Sequence, residues 1–198
     1  MELDLIHDLQ AAYRKTIDSM SRPGLISNIH AQAAKDAMKI GCFDATLVLI
    51  LMFLDTEVTF GICSERGAEI GKTINQLTYA RSTDLKHADF ILVLHDAGPG
   101  ELDNAMKSAY PGDLLNPHKA ATVIIEVDSV TNERDLLLTG PGIEKENQIK
   151  ITANADWVDV RQAKNSEYPL GIELIFTDPD DNVLCLPRTT QITKQVKN

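Results

Sequence analysis

Phe90-Ile91-Leu92-Val93-Leu94 is an unbroken apolar run held between Asp89 and His95. A short run with no polar member suits a strand buried on both faces, in the middle of a sheet covered on both sides. Such a sheet needs helices to cover it, and the chain supplies them. In residues 3–20, Leu5, Leu9, Tyr13, Ile17 and Met20 recur at spacings of three and four, which puts them on one face of an amphipathic helix. Pro23-Gly24 ends that helix, and an extended piece over residues 25–30 follows. Asp44 reads as the N-cap of a second helix through Leu54 that is apolar on every side and therefore buried on more than one. Ser64 reads as the cap of a third, carrying Ile70, Ile74 and Leu77. A short helix over 102–109 and another over 155–164, capped by Asn154 with Trp157 on its inner face, complete the helical set.

Strands are expected at 58–63, 90–94, 122–127, 136–139, 172–176 and 183–186. The short link over 128–134 predicts an antiparallel hairpin between the third and fourth of these. Asp178-Pro179-Asp180-Asp181 is strong turn chemistry and predicts a second hairpin at 172–186. Helices alternate with strands early and strands dominate late, and there is no repeat or linker. The expectation is a single α/β domain over 1–192 with a mixed sheet, and a polar, fraying tail over 193–198.

The 198 residues carry 19 basic and 29 acidic side chains, a formal charge of −10. That balance repels a phosphate backbone at long range, so nucleic acid is not an expected partner, although a small polyanion could still bind where basic residues gather. The longest apolar run, 47–54, is far short of the ~20 residues a spanning helix needs, so no membrane association is expected. The acidic start, Met1-Glu2-Leu3-Asp4-Leu5, does not resemble a secretory signal, and the chain reads as soluble and cytoplasmic. Cys42, Cys63 and Cys185 have neither the spacing of a zinc site nor that of a disulfide framework, and read as reduced apolar residues.

Several segments imitate functional motifs. Gly67-Ala68-Glu69-Ile70-Gly71-Lys72-Thr73 has three residues between its glycines where a phosphate loop needs four, and reads as a helix whose glycines allow close packing. Lys119, in Pro117-His118-Lys119, stands where a pyridoxal-phosphate lysine could, without a visible partner for the cofactor. His87, His95, Asp96 and His118 are scattered and form no helical ligand pair, although His95-Asp96 at a strand end could face a crevice. Ser64 lacks the glycine frame of a nucleophile elbow. In Leu186-Pro187-Arg188-Thr189-Thr190, a strand ends in proline and then presents a guanidinium and two hydroxyls. Arg188 there has two readings, a grip on phosphate or an ion pair with a carboxylate of its own chain.

Four segments taken together are more specific: Arg22-Pro23-Gly24-Leu25-Ile26, Leu138-Thr139-Gly140-Pro141-Gly142-Ile143, Tyr168-Pro169-Leu170-Gly171 running on through Phe176, and Leu186 to Thr190. Their order and spacing resemble the H subunit of the bacterial carbon–phosphorus lyase core complex, the PhnH family, over nearly the whole chain. The resemblance implies a three-layer α/β/α fold like the large domain of pyridoxal-phosphate-dependent transferases, but without the cofactor. It implies a cytoplasmic assembly with the G, I and J subunits that couples a phosphonate to the ribose of ATP and releases adenine, ahead of radical cleavage of the carbon–phosphorus bond. An assembly subunit is expected to expose a larger apolar surface than a lone monomer and, in isolation, to form a homodimer through it or bind the G subunit. No catalytic residue carries over, and the three cysteines cannot supply the cluster that radical chemistry needs. The expected role is that of an accessory subunit, with Arg22, Arg188, Thr189 and Thr190 as candidate phosphate contacts and no metal site. The alternatives are a nucleotide- or phosphonate-binding enzyme acting alone, and a pyridoxal-phosphate enzyme using Lys119. The Gly-Pro-Gly and Tyr-Pro-Leu-Gly segments are expected to set backbone turns rather than chemistry.

Overall fold

The computed structural model describes residues 4–35, 38–153 and 155–195. Helices α1 (His7–Ser21), α2 (His30–Ala33), α3 (Asp44–Phe53), α4 (Gly67–Thr78), α5 (Glu101–Ser108) and α6 (Val158–Lys164) accompany ten strands among those residues. The strands are β1 (Ser27–Asn28), β2 (Thr59–Cys63), β3 (Arg81–Ser82), β4 (Phe90–Val93), β5 (Thr122–Glu126), β6 (Ser129–Thr139), β7 (Asn147–Thr152), β8 (Glu173–Thr177), β9 (Asn182–Leu186) and β10 (Gln191–Lys194). Seven form a mixed sheet in the order β1-β9-β8-β5-β4-β2-β3, and three form a small antiparallel sheet in the order β10-β6-β7.

In the large sheet β3, β2, β4, β5 and β8 run parallel, β9 runs against them, and β1 pairs antiparallel with β9 at the edge. Alternation at period two sends Ile91, Val93, Val123, Ile125, Leu174 and Phe176 to one core and Leu92, Ile124 and Ile175 to the other. The second core lies under α1–α4 and the first under α5, α6 and the small sheet. The expected α/β class with a mixed sheet is therefore observed, with one outer layer part helix and part sheet. Phe90–Val93 lies between β5 and β2, as its composition required.

The predicted 172–186 hairpin forms as β8–β9. Asp178, 1% exposed, accepts from the backbone N–H groups of Asp180 and Asn182 within its turn and from that of Val130 at the start of β6. The other predicted hairpin does not form. β5 already has parallel neighbours on both edges, so β6 leaves the large sheet and pairs with β7 and β10. β7 has no counterpart in the sequence reading, although Ile149 and Ile151 alternate with polar neighbours. Thr193 and Lys194 pair with Leu137 and Leu136 in β10 rather than fraying.

The caps also differ from expectation. Phe43 holds the N-cap position of α3, and Asp44, its first residue, pairs with Lys39. The orphan N–H of Ala45 is taken instead by Asp181, from the β8–β9 turn. Arg66 is at the N-cap position of α4, while Ser64 accepts from the N–H of Arg66 one turn earlier. Trp157 precedes α6 and is 3% exposed against Phe176. Asn154 lies outside the described residues.

Helix α1 splits the apolar stripe that the spacing predicts: Leu9 and Met20 pack half-buried against the core, while Leu5, Tyr13 and Ile17 are exposed. Its buried residues are Asp8, Ala12, Thr16 and Ser19, whereas Tyr13 and Ile17 are 48% and 44% exposed. The reason is the edge of the sheet. β1 pairs only with Asn182 and Val183, so the rest of β9 is covered by α1. Ser19 Oγ accepts the N–H of Cys185 at 3.0 Å and donates to the carbonyl of Leu25 at 2.8 Å. Small and hydroxylic residues allow that close approach; a stripe of leucine and tyrosine would not.

The glycine-bearing segments interlock. A Cβ on Gly142 (φ +82°) would lie 2.2 Å from the carbonyl oxygen of Ser21, and one on Gly140 would meet that of Thr189 at 3.0 Å. Gly142→Ala should therefore cost about 1–3 kcal/mol more than Gly100→Ala, whose φ is similar but whose Cβ would meet nothing. Urea denaturation of the two variants measures this, and equal losses would show that the contact is not tight.

Candidate functional site

The carboxyl ends of β2, β4 and β5 open on a crevice, the usual ligand position in an α/β sheet. A cavity of about 220 Å³ lies there, walled by His95, Glu126 and the Gly98-Pro99-Gly100 loop. Glu126 ends β5 with a fully buried side chain. One of its oxygens accepts the N–H of Phe43 at 2.6 Å. The other accepts the N–H of His95 at 2.9 Å and meets its Nδ1 at 2.8 Å. An ionised carboxylate only accepts, which places the imidazole hydrogen on Nδ1. The Phe43 ring stacks on the imidazole at 5.0 Å, fixing its plane. Such a pair can hold or transfer a proton through Nε2.

The surroundings of this pair are acidic. Asp96 accepts from Ser64 Oγ at 2.9 Å, and its second oxygen is buried without a partner among the described residues. Glu101 stands beside the Cys63 thiol, which burial and that carboxylate push up to about 12. The nearby Arg66 is paired with Glu69. Three carboxylates and one engaged guanidinium make this edge unsuited to phosphate.

The remaining sequence candidates fall elsewhere. His87 pairs with Asp84 on the surface, and His118 and Lys119 sit exposed in a 3-10 turn, apart from the crevice. The scattered histidines are not brought together, and no group of three His, Cys, Asp or Glu is placed to hold a metal among the described residues. Gly67 and Gly71 lie within α4 against Ile62 and Phe60, which is the packing role rather than a phosphate loop. Arg22 pairs with Asp18 at the exposed end of α1.

Arg188 lies at the opposite, amino edge of the parallel strands. Glu173, the first residue of β8, receives its N–H and its Nε, each at 2.6 Å. Its Nη1 donates to the carbonyl oxygens of Pro117 and Pro169. The internal ion pair is thus the reading that the geometry supports for Arg188. Thr189 and Thr190 follow in the β9–β10 turn, where the N–H of Thr190 closes on the carbonyl of Pro187 at 3.0 Å. Gly171 (φ +137°) lets that turn approach, since a Cβ there would meet Asn165 at 2.8 Å and Arg188 at 3.2 Å.

Two residues that matter escaped the sequence reading. Glu126 ends a strand that otherwise reads as core, and only its position opposite His95 gives it a role. Arg161 lies in the helix over 158–164, where a charged residue passes for surface, yet it is 3% exposed. Glu126→Gln replaces one acceptor oxygen with an amide N–H₂ facing a backbone donor. It should cost about 1–3 kcal/mol in urea denaturation; an unchanged midpoint would mean that the buried carboxylate does not organise this edge.

Comparison with known proteins follows the same lines. A family model described as bacterial phosphonate metabolism protein (PhnH) matches residues 3–193. The chain is 28% identical over 195 residues to the alpha-D-ribose 1-methylphosphonate 5-triphosphate synthase subunit PhnH of Rhizobium meliloti (strain 1021), covering 97% of this chain and 94% of that protein. It is 30% identical over 186 residues to a protein of Stutzerimonas stutzeri described as a candidate C-P lyase subunit, HtxG, covering 92% and 85%. The segments around Gly24, Gly140, Gly171 and Arg188, distant in sequence, meet in one band of the fold, and with a match of this extent the chain belongs to the PhnH family.

Proposed function

We propose that this chain is the H subunit of the synthase that couples a phosphonate to the ribose of ATP with release of adenine, acting as an accessory, non-catalytic component. Its partners in that reading are the G, I and J subunits of a cytoplasmic carbon–phosphorus lyase core complex, and the isolated chain is a homodimer. The fold is read as related to the large domain of pyridoxal-phosphate-dependent transferases without the cofactor. The seven-stranded mixed sheet and the exposed position of Lys119 support that reading.

The observation that carries the proposal is the outward stripe of α1. Leu5 and Ile6 just before α1, and Tyr13 and Ile17 on it, are exposed, and with Leu51 and Met52 from α3 they line two shallow depressions rimmed by Gln10, Arg14, Lys15 and Asp18. A cluster of exposed large apolar residues rimmed by polar ones, on a helix whose inner side is already packed, is the mark of a surface that another protein covers. The chemistry of the partner is correspondingly apolar.

Tyr13→Asp and Ile17→Asp test this directly. Both positions are exposed, so stability should change by no more than about 0.5 kcal/mol. Burying the new carboxylate against a partner is costly, and co-purification with the G, I and J proteins should fall at least ~10-fold. Undiminished co-purification of both variants would sink the proposed face, and failure of the unaltered chain to associate with the three subunits would sink the assembly reading.

A further inference from the structure

We propose that the cavity between α6 and the β9–β10 turn binds a tetrahedral oxyanion, a phosphate or phosphonate, through the Nε–H of Arg161 and the hydroxyl of Thr190. The side chains of Arg161 and Thr190, in residues 3% and 1% exposed, line a cavity of about 260 Å³ with Arg188, Asn165 and Gln162. The two Nη groups of Arg161 donate to the carbonyl oxygens of Thr190 at 3.0 Å and Pro187 at 2.6 Å. Its Nε and the Thr190 Oγ1 are both buried and have no hydrogen-bond partner among the described residues. Two orphaned polar groups, nine-tenths buried, thus share one cavity.

The charges point the same way. Among the described residues Glu173 is the carboxylate that acts on Arg161, and both of its oxygens are taken by Arg188. Asp156 and Asp159, on the solvent side of α6, are engaged by Lys194. Arg161 is left with carbonyl dipoles in place of a counter-ion, and burial pulls its guanidinium down to about 10. A buried cation in that state is completed by an anion. The remaining Nε–H of the guanidinium and a neighbouring hydroxyl can each donate to an oxygen of a tetrahedral oxyanion. The crevice at the opposite edge, with Glu126 in its wall and Asp96 and Glu101 next to its lining residues, would repel such a ligand.

The site rests on this geometry and not on the assembly, so its failure would leave the subunit reading standing. Titration calorimetry of the full chain with inorganic phosphate, methylphosphonate and ATP, at constant ionic strength in chloride, is the test. Saturable binding is expected. Thr190→Val removes a hydroxyl that has no hydrogen-bond partner among the described residues, and it should weaken that binding about tenfold. If this variant does not fold, Gln162→Glu at the exposed rim puts a negative charge beside the anion and carries the same expectation. Binding of phosphate or methylphosphonate supports a free anion as ligand; binding of ATP alone supports the phosphates of a nucleotide. Absence of saturation with all three, or unchanged affinity in the folded variant, overturns the proposal.

Discussion

The contact between α1 and the partly unpaired edge of β9 governs much of this molecule. A strand edge left open is a template for unwanted pairing, and this protein closes it with a helix rather than with another full strand. The hydroxyl of Ser19 takes the N–H of Cys185, and Ala12 and Thr16 bring the helix close. Because the innermost face must be small and polar, Leu9 and Met20 pack only at its flanks and Tyr13 and Ile17 are left on the outer face. A requirement of the sheet thereby creates a surface that suits an assembly.

The band of glycine-containing turns is the second organising feature. Gly142 lets the Gly-Pro-Gly segment lie against the end of α1, and Gly140 lies against Thr189. Gly171 allows the β9–β10 turn to approach Asn165. Arg188 and Arg161 then tie that turn to β8 and α6 through carboxylate and carbonyl oxygens. These segments carry the resemblance read from the sequence, and in the structure their first task is to shape backbone. Arg161 of α6, which these turns bury, has carbonyl oxygens rather than a carboxylate as its hydrogen-bond partners.

Much of the fold was legible wherever residues interact with near neighbours. The continuous run at 90–94 announced a central strand, the Asp178-Pro179-Asp180-Asp181 turn announced a hairpin, and the apolar run after Asp44 announced a buried helix. What the sequence withheld was long-range. Nothing local says that β5 has no free edge for β6, or that Asp181 rather than Asp44 serves the first turn of α3. Period 3.6 identified the stripe on α1 but could not tell which way it faces, since an apolar stripe marks a core and an interface alike. The sites follow the same rule: Arg188 stood out through its motif, whereas Glu126 and Arg161 acquire meaning only from partners far along the chain.

Hydroxyl-radical footprinting of the chain alone and in the presence of the G, I and J proteins bears most directly on the central claim. Oxidation of Leu5, Ile6, Tyr13 and Ile17 should be high in dilute isolated chain and fall sharply on assembly. If the assembly forms while these side chains stay as reactive as before, the outward face of α1 is not where this protein meets its partners, and the account given for its role is wrong.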